Sequence, residues 1–215
     1  MKLEEAIHKL ELLHSIKFKD LFTDNELINI IIAKGDTGKL LEKLIGLPPG
    51  NTLKDFEDGE LKTNKVNSFG NPMETMFISQ ISSHVDDLLN QKQFEETWLR
   101  NKIERILYVP VVKIHPDPQE WFFLRHSYVE INLGEVLYSI LKSDYEAICD
   151  KMIHDIEHND GNLHTSSGKY IQIRTKDAMP YNPIFSRKYN KFVSNKNFAF
   201  YFKKEFMRDI TLYSK

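Results

Sequence analysis

Residues 105–114, RILYVPVVKI, restrict the fold of this 215-residue chain more than any other stretch. The run is rich in β-branched residues and almost free of polar ones. It reads as a strand buried on both faces, and such a strand needs covering layers on each side. Helical periodicity supplies candidates. Apolar positions at Leu3, Ile7, Leu10 and Leu13 predict a helix over residues 3–15. FTDNELINIIIA predicts a second, capped at Thr23 or Asp24, and GDTGKLLEKLIG a third, capped at Asp36 or Thr37 and stopped by Gly46. LPPGN is a break. Residues 92–104 read as a helix leading into the apolar strand, and residues 135–158 as the longest helix. Strands are expected at GELKTNKV and METMFISQI, joined as a hairpin through NSFGNP, then at SYVEINL, KYIQIRTK and NFAFYFKKEF, the last feeding a terminal helix. The expected fold is α/β, a mixed sheet with flanking helices, as one domain or as two lobes sharing a cleft.

Composition removes several classes. With 41% hydrophobic and 28% charged residues the chain reads as soluble and globular. Its longest apolar runs are too short to span a membrane. The opening MKLEEAIHKLELL is too acidic for a signal peptide. Cys149, the one cysteine, cannot form an internal disulfide and fits a reducing compartment, so a cytoplasmic protein is expected. Cys149 lies in a helical pattern and reads as a buried small hydrophobe rather than a nucleophile. Net charge is −2, but residues 169–215 hold eleven bases and three acids, net +8, against 18 bases and 28 acids before them, net −10. A cationic segment rich in Tyr and Phe on an acidic body suggests one face built for a polyanion.

The chemistry concentrates in KDFEDGELKTNKV, residues 54–66. Glu60 and Lys62 are two apart, so on a strand they share a face while Leu61 points to the other. Gly59 allows a turn just before the strand, and Asp55 arrives from that loop. Two converging carboxylates form a hard oxygen site suited to Mg²⁺, which would hold a scissile phosphate oxygen and acidify a bound water. Lys62 would orient that water or take its proton, and would offset charge building up in the transition state. A neighbouring ammonium also keeps two close carboxylates ionised. The competing reading is a solvated charge run beside a turn, and Asp-x4-Glu-x-Lys alone does not separate the two. His154 and His158 have a helical spacing that can hold zinc, but no third ligand accompanies them and they read as surface residues. Trp98, Trp121, Phe122 and Phe123 read as packing groups.

Five segments in order carry a resemblance over about residues 34–208: the Gly38-x-Leu-Leu-Glu42 helix, Gly-Glu-Leu-Lys-Thr at 59–63, Pro-x-Glu-Thr-x-Phe at 72–77, the lysine-bearing helix with VPV at 109–111, and Tyr-x-Gln-Ile-Arg-x-Lys at 170–176. Together they resemble the MutH-like nucleases of the PD-(D/E)xK class. The resemblance implies a restriction-endonuclease-like fold with two lobes around a DNA cleft. It implies a single nuclease domain over 1–215, its catalytic lobe at about 34–115 and its DNA-recognition elements mainly at 165–210.

By the same resemblance Asp55 and Glu60 are the metal-binding acids, with Glu57 or Asp58 as substitutes for Asp55. Lys62 is the catalytic lysine, Glu42 an outer acid and Lys102 a supporting lysine. Arg174 and Lys176 read bases, Tyr201 contacts adenine, and Lys203 and Lys204 are read as phosphate contacts. The cofactor would be Mg²⁺, or Mn²⁺ in its place. The partner would be double-stranded DNA, met by a monomer or weak homodimer assembling on it, with no membrane. The activity expected is that of a type II restriction endonuclease at a short GATC-like site, with a mismatch-repair nicking endonuclease or a silent DNA-binding module of the same fold as alternatives. Thr175 stands where the family has a proline, Asp36-Thr37 where it has Trp-Val, and the Asp55–Glu60 spacing is shorter than the family's. Plainer readings stand beside these: Glu42 as a surface charge, Lys102 paired with Glu104 or Glu96, Arg174 and Lys176 as a solvated edge.

Overall fold

In chain order the computed structural model, which describes residues 1–32, 36–48 and 54–215, runs α1 (Leu3–Leu10), α2 (Phe18–Leu21), α3 (Asp24–Ile32), α4 (Asp36–Ile45), β1 (Glu60–Val66), β2 (Met76–Gln80), α5 (Val85–Leu89), α6 (Trp98–Ile103), β3 (Arg105–Val112), β4 (Phe122–Phe123), β5 (Ser127–Glu130), α7 (Val136–His158), β6 (Ser166–Ser167), β7 (Ile171–Thr175), β8 (Ile184–Ser186), β9 (Lys191–Ser194), β10 (Phe198–Phe202) and α8 (Lys204–Asp209). Residues 33–35 and 49–53, which hold the end of the second expected helix, the approach to the third and most of the LPPGN break, lie outside the described residues. The chain divides into two compact units, one of residues 1–74, 102–130 and 208–215, the other of residues 75–101 and 131–207.

The first unit is built on β3, whose residues Ile106–Val112 are all buried. β1 runs parallel to it, Glu60 opposite Ile106 and Val66 opposite Val112, while β4 and β5 pair antiparallel along its other edge, so the sheet is mixed. Pro110 sits inside this strand, where a missing N–H would normally break a ladder. Its carbonyl accepts from the Leu124 amide at 2.9 Å. Its nitrogen therefore faces the same edge, at the gap between the β5 pairing and the β4 pairing. One face of the sheet presents Leu61, Leu107, Val109 and Val111 to a core completed by Leu3, Ala6, Leu10, Phe18, Leu41 and Ile45. Each such side chain, fully buried, contributes about 1.5–3 kcal/mol.

Local signals set the helix ends. Thr23 and Glu26 form a capping box, the Glu26 carboxylate accepting from the Thr23 amide and hydroxyl at 2.9 Å each. α4 ends in a Schellman arrangement: Gly46 takes φ +75°, its amide donates to Lys43 O at 3.0 Å, and the Leu47 amide donates to Glu42 O at 2.8 Å. Asp36 and Thr37, expected as caps, are already inside α4. The first helix is shorter than its periodicity predicts, ending at Leu10. The helix expected at 92–104 is interrupted at Thr97, whose hydroxyl caps α6 by accepting from the Arg100 amide at 3.0 Å.

One expectation is overturned. β1 and β2 do not form a hairpin: β1 pairs with β3, and β2 pairs with β10 in the other unit. The turn itself is real, since Asn67 Oδ1 accepts from the Phe69 and Asn71 amides at 3.0 and 2.9 Å. Beyond it the two segments keep a single Val66–Pro72 bridge, a bond from the Met73 amide to Lys65 O at 2.9 Å, and bonds from the Asn64 side chain to Glu74 O and from the Lys65 amide to the Glu74 carboxylate at 2.8 and 3.4 Å.

The second unit carries the antiparallel sheet β2-β10-β7-β6 and the separate hairpin β8-β9. Phe198–Phe202 of β10 are all buried. α7 packs beside β6 and β7, and its Asp144, buried, accepts from the amides of Lys169, Tyr170 and Ile171 at 2.6, 2.6 and 3.0 Å. A Cβ at Gly168 would meet Asp144 Oδ1 at 2.1 Å, so that turn admits only glycine. Cys149 is buried in α7, and burial pushes its thiol up to about 12, as a packing residue rather than a nucleophile requires. Among the described residues no helix is long and apolar enough to cross a membrane.

Candidate active site

The turn before β1 positions the acidic residues. Phe56 is buried in the first unit's core, and its amide donates to Gly59 O at 2.9 Å, closing the turn that carries Asp55. Gly59 packs directly on the start of β3: a Cβ there would lie 2.9 Å from Arg105 O and 2.4 Å from Leu3 Cδ1. Substitutes for Asp55 are engaged elsewhere. Glu57 is exposed and faces the Met1 nitrogen at 3.0 Å, and Asp58 accepts from the Leu3 amide at 2.9 Å and pairs with Arg105 at 3.3 Å.

Asp55, Glu60, Lys62 and Lys102 are brought together in the first unit. Asp55 Oδ2 accepts from the Leu61 amide at 2.9 Å. Glu60 is buried, and its Oε1 receives two ammonium groups, Lys62 Nζ at 2.5 Å and Lys102 Nζ at 2.8 Å. Its other oxygen, Oε2, is buried with no hydrogen-bond partner among the described residues. Leu61 between them points into the opposite core, as the two-residue spacing requires. Lys102 therefore meets Glu60 rather than serving as a helix-surface partner of Glu96.

The electrostatics carry the marks of crowded carboxylates. Burial raises the Asp55 carboxyl above its ordinary range, and the charge of Glu60 raises it further against the opposing pull of Lys62. Glu42, on α4 beside the buried Leu41, is raised by burial and then by Asp55. Among the described residues no three Asp, Glu, His or Cys side chains come close enough to enclose a metal ion by themselves. The donor set is a two-carboxylate one, which suits a hard cation that keeps several waters and shares substrate phosphates. An orphaned buried carboxylate oxygen beside a second raised carboxyl fits such a cation. His154 and His158 stand 5.4 Å apart as exposed rings on α7 and gather no further ligand.

The residues singled out for DNA contact all lie in the second unit. The Arg174 guanidinium stacks over the Tyr201 ring at 4.2 Å and donates to Thr75 Oγ1 at 2.9 Å. Lys176 Nζ lies 4.8 Å over the Phe77 ring, and Phe77 and Tyr201 meet edge to face at 5.7 Å. Strands β2, β10 and β7 thus carry a cation–π ladder whose two cations, Arg174 and Lys176, are exposed. Thr75 and Phe77 stand in the Pro-x-Glu-Thr-x-Phe segment, but the sequence reading gave neither a contact role; the exposed position of Phe77 in an alternating strand was the available signal. Lys203 Nζ donates to Gly168 O at 2.8 Å, so it supports the β6–β7 turn, while Lys204 is half-buried at the start of α8.

The first unit is thus an α/β framework, a mixed sheet with flanking helices that bears paired carboxylates and lysines at the start of its first strand. A family described as DNA mismatch repair enzyme MutH matches residues 48–128, a span that contains Asp55, Glu60, Lys62 and Lys102. The chain is 27% identical over 202 residues to the DNA mismatch repair protein MutH of Buchnera aphidicola subsp. Baizongia pistaciae (strain Bp), covering 87% of this chain and 84% of that protein. Both similarities support a MutH-like nuclease family for this chain.

Proposed function

We propose that this DNA endonuclease of the MutH family is Mg²⁺-dependent and sequence-specific, and hydrolyses a phosphodiester of duplex DNA at a short GATC-like site. The observation that carries the metal dependence is Glu60: one oxygen held by two ammonium groups, the other buried with no hydrogen-bond partner among the described residues. Asp55 and Glu60 would hold the divalent cation, which supplies Lewis acidity toward phosphate and acidification of water. Lys62, fixed against Glu60, orients the attacking water and offsets charge as the water oxygen bonds to phosphorus in line with the departing alkoxide. Lys102 holds Glu60 from the other side. Glu42 adds a third negative charge that disfavours Asp55 and Glu60 without a counter-cation. Arg174, with its planar fork of donors exposed, suits guanine O6 and N7, and Lys176 a neighbouring base or phosphate.

Two roles fit this chemistry. A type II restriction enzyme is one. A mismatch-repair nicking endonuclease is the other, favoured by the matched family and by the Buchnera protein, both described in mismatch-repair terms. The test is supercoiled plasmid, unmethylated, hemimethylated or fully methylated, incubated with Mg²⁺ and the wild type, Lys62→Ala or Glu60→Ala. Cleavage by the wild type alone is expected. Linear product indicates the restriction role and open circles the nicking one. Three uncut plasmids would remove the enzyme reading.

A further inference from the structure

Between β7 and β10 the chain makes an excursion, residues 178–197, with the β8–β9 hairpin within it. The excursion contains four bases, Arg187, Lys188, Lys191 and Lys196, and no acid. Asp177 and Asp86, which flank it, are engaged mainly by backbone donors. Asp177 accepts from the amides of Ala178, Asn182 and Asn197 at 3.0, 2.6 and 2.9 Å, closing the base of the excursion. Asp86 accepts from the Ser186 hydroxyl and from the amides of Arg187 and Lys188 at 2.7, 3.0 and 3.3 Å, pinning the hairpin to α5. Tyr189 adds a bond to Glu157 at 2.5 Å. The inner positions Ile184, Ser186 and Val193 are buried. The outer ones are not: Phe185 and Phe192 face each other edge to face at 5.3 Å while remaining 44% and 63% exposed.

A pinned hairpin does not need two large exposed rings merely to hold its strands, and a segment with four bases and no acid repels cationic partners. The excursion also starts and ends on the two strands that carry Arg174, Lys176 and Tyr201. We infer that the β8–β9 hairpin is an accessory duplex-DNA contact, in which Arg187 and Lys191 meet backbone phosphates and the Phe185–Phe192 pair packs against the apolar faces of the deoxyriboses. This rests on the DNA-nuclease reading and adds to it an element outside the base-reading strands. Phosphate contacts of this kind position a protein on the duplex without reading sequence.

The test uses the full chain carrying Lys62→Ala, so that DNA stays intact, and a fluorescent 30-base-pair duplex containing GATC, followed by anisotropy over a salt series. Two further variants are made in that background, Arg187→Gln/Lys191→Gln and Phe185→Ala/Phe192→Ala, with thermal unfolding to confirm folding. The charge variant is expected to bind roughly five- to tenfold more weakly, and its slope of log affinity against log salt to shrink by about 1.8, since each lost phosphate contact removes about 0.9. The aromatic variant is expected to weaken binding with the slope unchanged. The fold-loss of each variant relative to the parent should be the same on GATC-containing and scrambled duplexes. An unchanged slope and affinity in the folded charge variant, with the parent still binding, overturns the hairpin contact alone. Loss of a parent dimer in sedimentation, with duplex affinity unchanged, reassigns the hairpin to a second copy of the chain. Failure of the parent itself to bind either duplex overturns the nuclease reading together with the hairpin.

Discussion

Lys102 Nζ lies 2.8 Å from Glu60 Oε1, the oxygen that Lys62 Nζ also reaches at 2.5 Å. Two cations on one carboxylate oxygen make Glu60 the electrostatic centre of the site, and each of the three side chains is largely withdrawn from water. Removing the carboxylate charge leaves two ammonium groups facing each other. Glu60→Gln is therefore expected to destabilise the fold by about 3–5 kcal/mol, the usual loss when one partner of a buried pair is removed. Urea unfolding measures it; a variant as stable as the wild type would show that the two lysines find other partners.

Lys62→Ala separates chemistry from binding. The lysine touches Glu60 rather than any of the exposed cations of the second unit, so duplex affinity should stay within about threefold. The single-turnover cutting rate should fall by about 10²–10³, the typical loss for one preorganised charge-stabilising group. A parallel loss of affinity and rate would instead make Lys62 a phosphate anchor.

Arg174 is held in place by the Tyr201 ring and Thr75 Oγ1 before any DNA arrives. That preorganisation favours a directional contact. Arg174→Ala should lose about 1–3 kcal/mol of discrimination at one base pair, seen in cleavage of single-substitution sites. Uniform weakening on every sequence would mark Arg174 as a backbone contact.

Asp144 offers a check on the second unit. Its carboxylate accepts from the amides of residues 169–171, which lead into β7. Asp144→Ala leaves those donors unpaired inside the protein, each at about 1–3 kcal/mol, and should lower the unfolding midpoint sharply. A small effect would mean that water takes over the three amides.

What the sequence disclosed and what it hid divide along the distance over which each signal acts. The buried strand at 105–112, the Gly46 stop of α4, and β10 running into α8 are written in local periodicity and turn chemistry. The β1–β2 hairpin was misread for the same reason: the Asn67–Asn71 turn is locally correct, but the partner of β1 is β3, and strand pairing across such a separation leaves no mark in the intervening residues. The β8–β9 hairpin was missed because its strands, of three and four residues, are too short to show a period. In the site, Asp55, Glu60 and Lys62 were legible from spacing and from the resemblance. That Lys102 closes on Glu60, and that Phe77 joins Arg174, Lys176 and Tyr201, depends on how separate elements pack.

The raised carboxyls give a prediction that needs no cutting. Burial, then Glu60, pushes Asp55 above its ordinary value near 3.8, and burial, then Asp55, pushes Glu42 above 4.5. In both cases the folded chain holds the proton more tightly than the unfolded chain does. Their contribution to stability is therefore fully present below the unfolded values and is lost as pH rises through the raised ones. At neutral pH Asp55 is a net cost to the metal-free fold. Asp55→Asn keeps an oxygen for the Leu61 amide and removes that cost, so the metal-free variant should unfold at a higher temperature than the wild type. The advantage should shrink as pH falls toward 4. Mg²⁺ should stabilise the wild type increasingly as pH rises, because the cation replaces a proton, and should do so less in Asp55→Asn. Differential scanning calorimetry at pH 5 and pH 7.5, with and without Mg²⁺, reads all three effects. A metal-free Asp55→Asn variant less stable than the wild type at pH 7.5 would mean that Asp55 is a satisfied structural carboxylate rather than half of a cation site.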